Sequence, residues 1–173
     1  MKIISVNLEQ LVNFSQDSDL EKANRVVNLI ASVINNSEFR QEMLVAEFKD
    51  RRFVDESGVI VEMEDDQEIL DKLIPGKEQY INRASDYVCN FNIVLYKSLT
   101  GEIGKRNRDT IFTKKRKFRR WKDKAIASHW IHKYMHVLGF THDYKRTDNR
   151  PYSVPYYTGS IAEKILNKTN LIL

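Results

Sequence analysis

The sequence predicts an α+β fold, and three observations carry that prediction. A helical apolar stripe runs over residues 20–36, a strict apolar alternation over 86–97, and a second helical run over 122–138. In the first of these, Ala23, Val26, Val27, Ile30 and Ile34 recur at spacings of three and four, which makes one face of an amphipathic helix that Asp17 or Ser18 can cap. After a break at Asn35, Asn36 and Ser37, the residues Phe39, Met43, Leu44 and Phe48 resume helical spacing and predict a second, shorter helix. The run 52–63 holds a turn at Glu56, Ser57 and Gly58 between short β-type segments. Residues 65–74 predict a brief helix stopped by Pro75 and Gly76. Over 86–97, Tyr87, Cys89, Phe91, Ile93 and Leu95 alternate with Val88, Asn90, Asn92, Val94 and Tyr96, the period of two that a strand requires. A shorter strand is expected at 110–113, a long helix at 122–138 and a last helix at 160–166. Helices therefore come first, strands next and one long helix after them, around a sheet expected to be mostly antiparallel or mixed.

Composition narrows the class further. With 173 residues of which 42% are apolar, the chain is expected to form a single domain, 1–173, with a substantial core. Six Gly and three Pro exclude collagen-like and low-complexity chains, and no stretch approaches the roughly 18 apolar residues of a membrane span. The opening MKIISVNLEQ reaches Glu9 without a small-residue cleavage site, so a cytoplasmic protein without a signal peptide is expected. The single cysteine, Cys89, cannot form an internal disulfide; it lies within the alternating strand and reads as a small buried hydrophobe rather than a nucleophile. Any metal must then be held by histidines or carboxylates.

Charge is unevenly spread. The net charge is +4, yet residues 105–124 alone carry eleven Lys or Arg against two acids, which leaves −5 on the rest of the chain. Such a segment can neutralise phosphates while Phe112, Phe118 and Trp121 stack on bases, which makes a nucleic-acid partner one reading. A solvated loop and first helix turn, with those aromatics facing the core, is the other.

All four histidines fall between residues 129 and 142. His132 and His136 are four apart, so a helix projects them from the same face one turn above the other. Gly139 follows three residues later, where a residue able to take positive φ can end the helix, and His142 returns three residues beyond. Three imidazoles can so converge on one ion. Zn2+ suits them, because it favours nitrogen ligands in tetrahedral geometry and a fourth position stays open for water. His129 fits no ligand position and is expected to pack or to face solvent.

The segment His132-Lys-Tyr-Met-His136-Val-Leu-Gly139-Phe-Thr-His142 resembles the zinc signature of the metzincin metallopeptidases, HExxHxxGxxH followed by a Met-containing turn. The likeness to small bacterial and phage metzincin-like proteins covers roughly residues 86–160. It implies a zincin-type α+β fold, in which N-terminal helices and a small twisted mixed sheet accompany a long zinc-binding active-site helix. It further implies an edge strand and a ladder strand ahead of that helix, Zn2+ as cofactor, and hydrolysis of peptide or protein substrates by metal-activated water. The basic segment 105–124 would then border the cleft and favour acidic peptides. Downstream, Ser153-Val-Pro-Tyr-Tyr157 stands where the Met-turn would fall, with Pro155 in place of Met. The resemblance places Tyr157 at the position whose tyrosine can bind the metal or donate to the transition state, with Tyr156 beside it.

The sequence departs from the signature at one decisive position: Lys133 occupies the general-base position where the family has glutamate. That glutamate takes the proton of the metal-activated water and delivers it to the leaving amine, which a protonated lysine cannot do. Loss of a positioned base costs about 10²- to 10⁴-fold. An ammonium roughly 5 Å from the ion is also repelled by about 3 kcal/mol per unit of metal charge at an effective dielectric near 20. Hydrolysis is therefore expected to be absent or strongly impaired. Three readings remain open: a zinc-binding pseudoenzyme acting as a binding module, a peptidase altered at this one position, or an enzyme whose base is neutral Lys133 or Asp143.

Overall fold

The structure is a computed structural model that describes residues 3–76, 87–98, 104–107 and 109–168. The chain opens with a strand, not with helices as the sequence suggests: β1 (Ser5–Val12) precedes α1 (Asp17–Ile34) and α2 (Ser37–Leu44). A β-bulge hides β1 from a period-two reading. The register against β4 (Val88–Tyr96) shifts between Leu8 and Gln10, so Val6, Leu8 and Leu11 fall opposite Cys89, Phe91 and Ile93. One extra residue at Glu9 resets the alternation.

In α1 the anticipated apolar stripe is buried, with Ala23, Val26, Val27, Ile30 and Ile34 at most 7% exposed. Its start differs from expectation: the cap position is Gln16, and no side chain caps it. In α2 the cap is made, because Asn36 Oδ1 accepts from the backbone N–H of Glu38 and Phe39. The predicted turn at 56–58 joins β2 (Arg52–Val54) to β3 (Ile60–Glu62) in an antiparallel pair, followed by α3 (Asp66–Leu73).

The larger sheet has the order β1-β4-β6-β5, with β6 at Thr110–Lys114 and β5 at Gly104–Asn107. Strands β1, β4 and β6 run parallel, and β5 is antiparallel to β6 at the edge. Among the two sheet types the sequence left open, the mixed one is found, and its three parallel strands correct the antiparallel alternative. The physical reason is the helical connection: α1 lies between β1 and β4, and a crossover of that length returns the chain in the same direction. Cys89, Phe91, Ile93 and Leu95 on β4 are at most 1% exposed. Asn90 and Asn92 on the opposite side are buried too, as expected of a strand with neighbours on both edges.

Three more helices follow: α4 (Lys115–Arg120), α5 (Asp123–Val137) and α6 (Val154–Lys168), the last beginning six residues before the predicted start and preceded by a single 3-10 turn at Arg150–Tyr152. The core joins α5 to the sheet through aromatic packing. Phe91 stacks on Tyr134 at 4.7 Å, Phe118 stacks on Trp130 at 5.8 Å, and Trp130 Nε1 donates to Thr113 Oγ1 at 3.1 Å. Each such large side chain removed from water stabilises the fold by about 1.5–3 kcal/mol. α5 is thus held rigidly along its length, which matters for what its last turns carry. No helix among the described residues is long and apolar enough to cross a membrane.

Candidate metal centre

α5 ends in a Schellman motif. The N–H of Phe140 donates to Met135 O at 3.0 Å and that of Gly139 to His136 O at 3.1 Å, with Gly139 at φ +116°. Only glycine fits there, because a Cβ would also stand 2.7 Å from the Phe53 ring and 3.0 Å from Val54 O. The chain leaving the helix is then zipped to β2: Val54 N–H donates to Gly139 O and Thr141 N–H to Arg52 O, each at 2.9 Å. His142 follows immediately, and its direction is set by this pairing.

The same short segment anchors α6. Lys49 N–H donates to Tyr152 O at 3.0 Å and Val154 N–H to Asp50 O at 3.1 Å. Residues 49–54 therefore stitch the end of α5 to the start of α6. Gly159 lets the two helices close: a Cβ there would meet His132 Cβ at 3.2 Å, and Ser128 Oγ donates to Gly159 O at 2.8 Å. Tyr156, three residues earlier on the same helical face, is brought beside the histidines.

The result is a cluster of three imidazoles. One ligand atom from each of His132, His136 and His142 lies within 4.8 Å of the others. Three nitrogens on a tetrahedral ion at 2.0–2.1 Å would stand about 3.4 Å apart, a difference that small ring rotations close. The donor set fits such an ion. His136 Nδ1 faces Phe140 O at 2.8 Å and His142 Nδ1 faces Asp143 O at 2.9 Å. A carbonyl only accepts, so both rings carry their proton on Nδ1 and keep the Nε2 lone pair for a metal. Burial, reinforced by the charges of His136 and Lys133, holds His132 well below the usual imidazole range, and burial likewise lowers His142. Neutral imidazole is the form that ligates.

Around the triad, Tyr156 has its ring 4.4 Å from that of His132 and 4.9 Å from that of His142. Tyr157 points elsewhere, packing edge-on to Phe48 at 5.5 Å and beside Tyr152 at 6.1 Å. The segment expected to form a Met-type turn is instead the first turn of α6. Lys133 is half-buried on the helical stripe shared with His129, His132 and His136, and its charge lowers the pKa of His129, His132 and His142. His129 makes an edge contact with Trp121 at 6.0 Å, and burial with the Lys133 charge pushes it down to about 4.

Asp143, the alternative base, is engaged. Arg52 Nη2 donates to Asp143 Oδ1 at 2.8 Å and to Asp50 Oδ2 at 2.7 Å, and Thr147 donates to Asp143 Oδ2. The guanidinium holds the Asp143 carboxyl below the usual carboxylate range, which makes it a weak base. The carboxylate therefore does not orient the His142 ring, a task that falls to the Asp143 backbone carbonyl. Sequence reasoning missed Asp50, Arg52 and Arg150. Arg150 lies with Cζ 5.0 Å from the Tyr156 ring, and its buried Nε has no hydrogen-bond partner among the described residues. Nothing in the spacing of these residues signals their convergence, since Arg52 and Asp143 are 91 residues apart.

Away from the histidines, Cys89 is fully buried, as expected for a small hydrophobe. In the basic segment Phe118 is buried against Phe14 and Trp130, Trp121 packs on His129, and Phe112 meets Tyr96. No family model, curated protein or solved structure matches the chain, so the metzincin resemblance is carried by the motif residues alone.

Proposed function

We propose that this chain is a zinc-binding domain of the metzincin metallopeptidase type that holds peptide in its cleft and whose hydrolytic step is disabled at Lys133. The observation that carries the reading is the convergence of His132, His136 and His142, two of them with Nδ1 committed to backbone carbonyls. Topology supports it as well: an antiparallel edge strand, β5, and a ladder strand, β6, precede the histidine helix in the order the resemblance implies. A bound Zn2+ would supply Lewis acidity, polarising a carbonyl and lowering the pKa of water.

The chain's own residues do the rest. Lys133 stands on the helical stripe where the proton acceptor belongs and has no basic lone pair while protonated. Asp50 and Asp143 are both bound to Arg52, so neither carboxylate is available as a substitute. Lys133 and Arg150 give the cleft positive charge, which favours peptides carrying a carboxylate, and the Tyr156 ring forms one wall beside His132.

Two measurements test the proposal. Metal analysis after zinc resupply should give one ion per chain, and anomalous scattering at the zinc edge should place it between the three rings; an empty cluster overturns the reading. In a cleavage assay on a mixed peptide library, Lys133→Glu should gain chelator-sensitive hydrolysis of about 10²- to 10⁴-fold over the parent. Zinc without cleavage in either form would leave a binding module and remove the peptidase ancestry.

A further inference from the structure

A second cationic feature lies apart from the histidines, at the carboxyl ends of the parallel strands. Lys97 follows β4, and Lys115, Arg116, Arg119 and Arg120 belong to α4, which follows β6 directly; together they line an open groove of about 320 Å³. The groove's lining holds five cationic side chains and no acidic one. It flanks the N-terminal end of α5, whereas His132 and His136 occupy that helix's second half and His142 lies just past its C-terminal end. Open α/β-type sheets commonly bind ligands outside the carboxyl ends of their strands.

The cations differ in how they are held. Phe118 turns into the core, which forces Lys115, Arg116, Arg119 and Arg120 to the outside of a short helix. Arg119 is anchored by a two-point bond to the buried Asp19 at 2.9 and 2.8 Å, and this cancels its charge. Lys115 donates to two neutral acceptors, Asn13 O and Ser15 Oγ, so it is positioned without being neutralised. Arg116 and Arg120 are exposed and make no hydrogen bond or ion pair among the described residues. Four uncompensated charges therefore share one groove.

We infer that this groove binds the phosphate backbone of a single-stranded nucleic acid, reading charge and not base sequence. The arginine content suits phosphate, whose oxygens accept the guanidinium fork in two-point fashion. The basic lining is spread along the whole of α4 and on to the residue that follows β4, so it forms a track and not a single point of charge. A track matches a strand better than a compact ion. Base readout is not part of it: Phe118 is buried against Trp130, and the half-buried Trp121 is turned onto His129. The chain outside residues 105–124 carries a net charge of −5, so a polyanion is drawn to the basic segment more strongly than to the rest of the surface.

The test is fluorescence anisotropy of a labelled single-stranded oligonucleotide of mixed sequence, titrated with the full chain from 50 to 200 mM NaCl, with and without EDTA. Four phosphate contacts predict a log–log salt slope of about −3 and an affinity loss of about 50-fold across that range. EDTA should change nothing, which separates this site from the histidine cleft. The double variant Arg116→Ala/Arg120→Ala should halve the slope while leaving the thermal midpoint unchanged, since neither side chain is bonded within the fold. Absence of binding, an unchanged slope in the double variant, or equal competition by polyglutamate of matched charge would each overturn the proposal. A variant that lost its thermal midpoint would be replaced by Arg116→Gln/Arg120→Gln, with the same slope as criterion.

Discussion

The histidine cleft and the basic groove sit at opposite ends of α5, and both gather cationic or ionisable side chains, yet they are built in different ways. At the histidine cluster the three rings are half-buried or buried, two Nδ1 protons are committed to carbonyls, and the neighbouring Asp50–Arg52–Asp143 system comes from elements far apart in sequence. In the groove, four of the five cations come from one helix, and of these only Arg119 is held by an ion pair among the described residues while Arg116 and Arg120 stand in solvent. A buried arrangement costs desolvation and is rigid, so it can specify a single ion. An exposed one is cheap and adaptable, and it suits a ligand recognised by charge alone.

The largest expected effect falls on the cleft. His136→Ala should abolish stoichiometric zinc, a loss beyond the about 10- to 100-fold typical of removing a supporting residue, while oligonucleotide binding at the groove stays intact. Metal analysis and anisotropy on the same sample check both halves. If the variant loses both functions, the two regions are not independent. Next comes Gly139→Ala, where the backbone at φ +116° and the 2.7 Å approach to Phe53 should together cost about 2–4 kcal/mol in denaturant unfolding. Metal affinity should fall with it, because His142 hangs from the same turn.

A pH effect of similar or smaller size should arise from His129. Its imidazole is held down to about 4 in the fold against 6.5 when unfolded, so the unfolded chain binds the extra proton first. Its contribution is complete above pH 6.5 and is lost as pH falls toward 4, amounting to about 3 kcal/mol at most. Chemical denaturation between pH 7 and 4 should show this slope in the metal-free protein together with the like-signed contributions of His132 and His142, and His129→Phe should make it shallower by its own share. The smallest effect belongs to Tyr156→Phe. The ring contact with His132 is kept, so zinc affinity should change less than about threefold, while retention of carboxylate-bearing peptides weakens measurably in calorimetry.

Much of this molecule was legible before any coordinates. The stripe of α1, the alternation of β4 and the spacing of His132 and His136 are local patterns, and local geometry alone turns them into a helix face, a strand face and two imidazoles on one side of a helix. β1 escaped because the bulge at Glu9 breaks the very alternation that would reveal it. The start of α6 escaped because Pro155 near its N-terminus reads as a turn signal, although proline is well tolerated in a first helical turn. Among the two tyrosines, adjacency in sequence concealed opposite fates: one helical step of 100° separates the ring at the histidines from the ring against Phe48.

By itself, then, the amino-acid order determined that His132 and His136 share one helix face, that Gly139 ends the helix just beyond them, and that Lys133 stands beside them. Only the tertiary structure decided that residues 49–54 bind the end of α5 to the start of α6, that Arg52 takes both nearby carboxylates, and that Gly159 brings Tyr156 to His132. The physical reason is the range of the interactions involved. Helix and strand periodicities arise from bonds between near neighbours, whereas the cleft is closed by backbone pairings and ion pairs between segments some ninety to a hundred residues apart, whose partners no local pattern encodes.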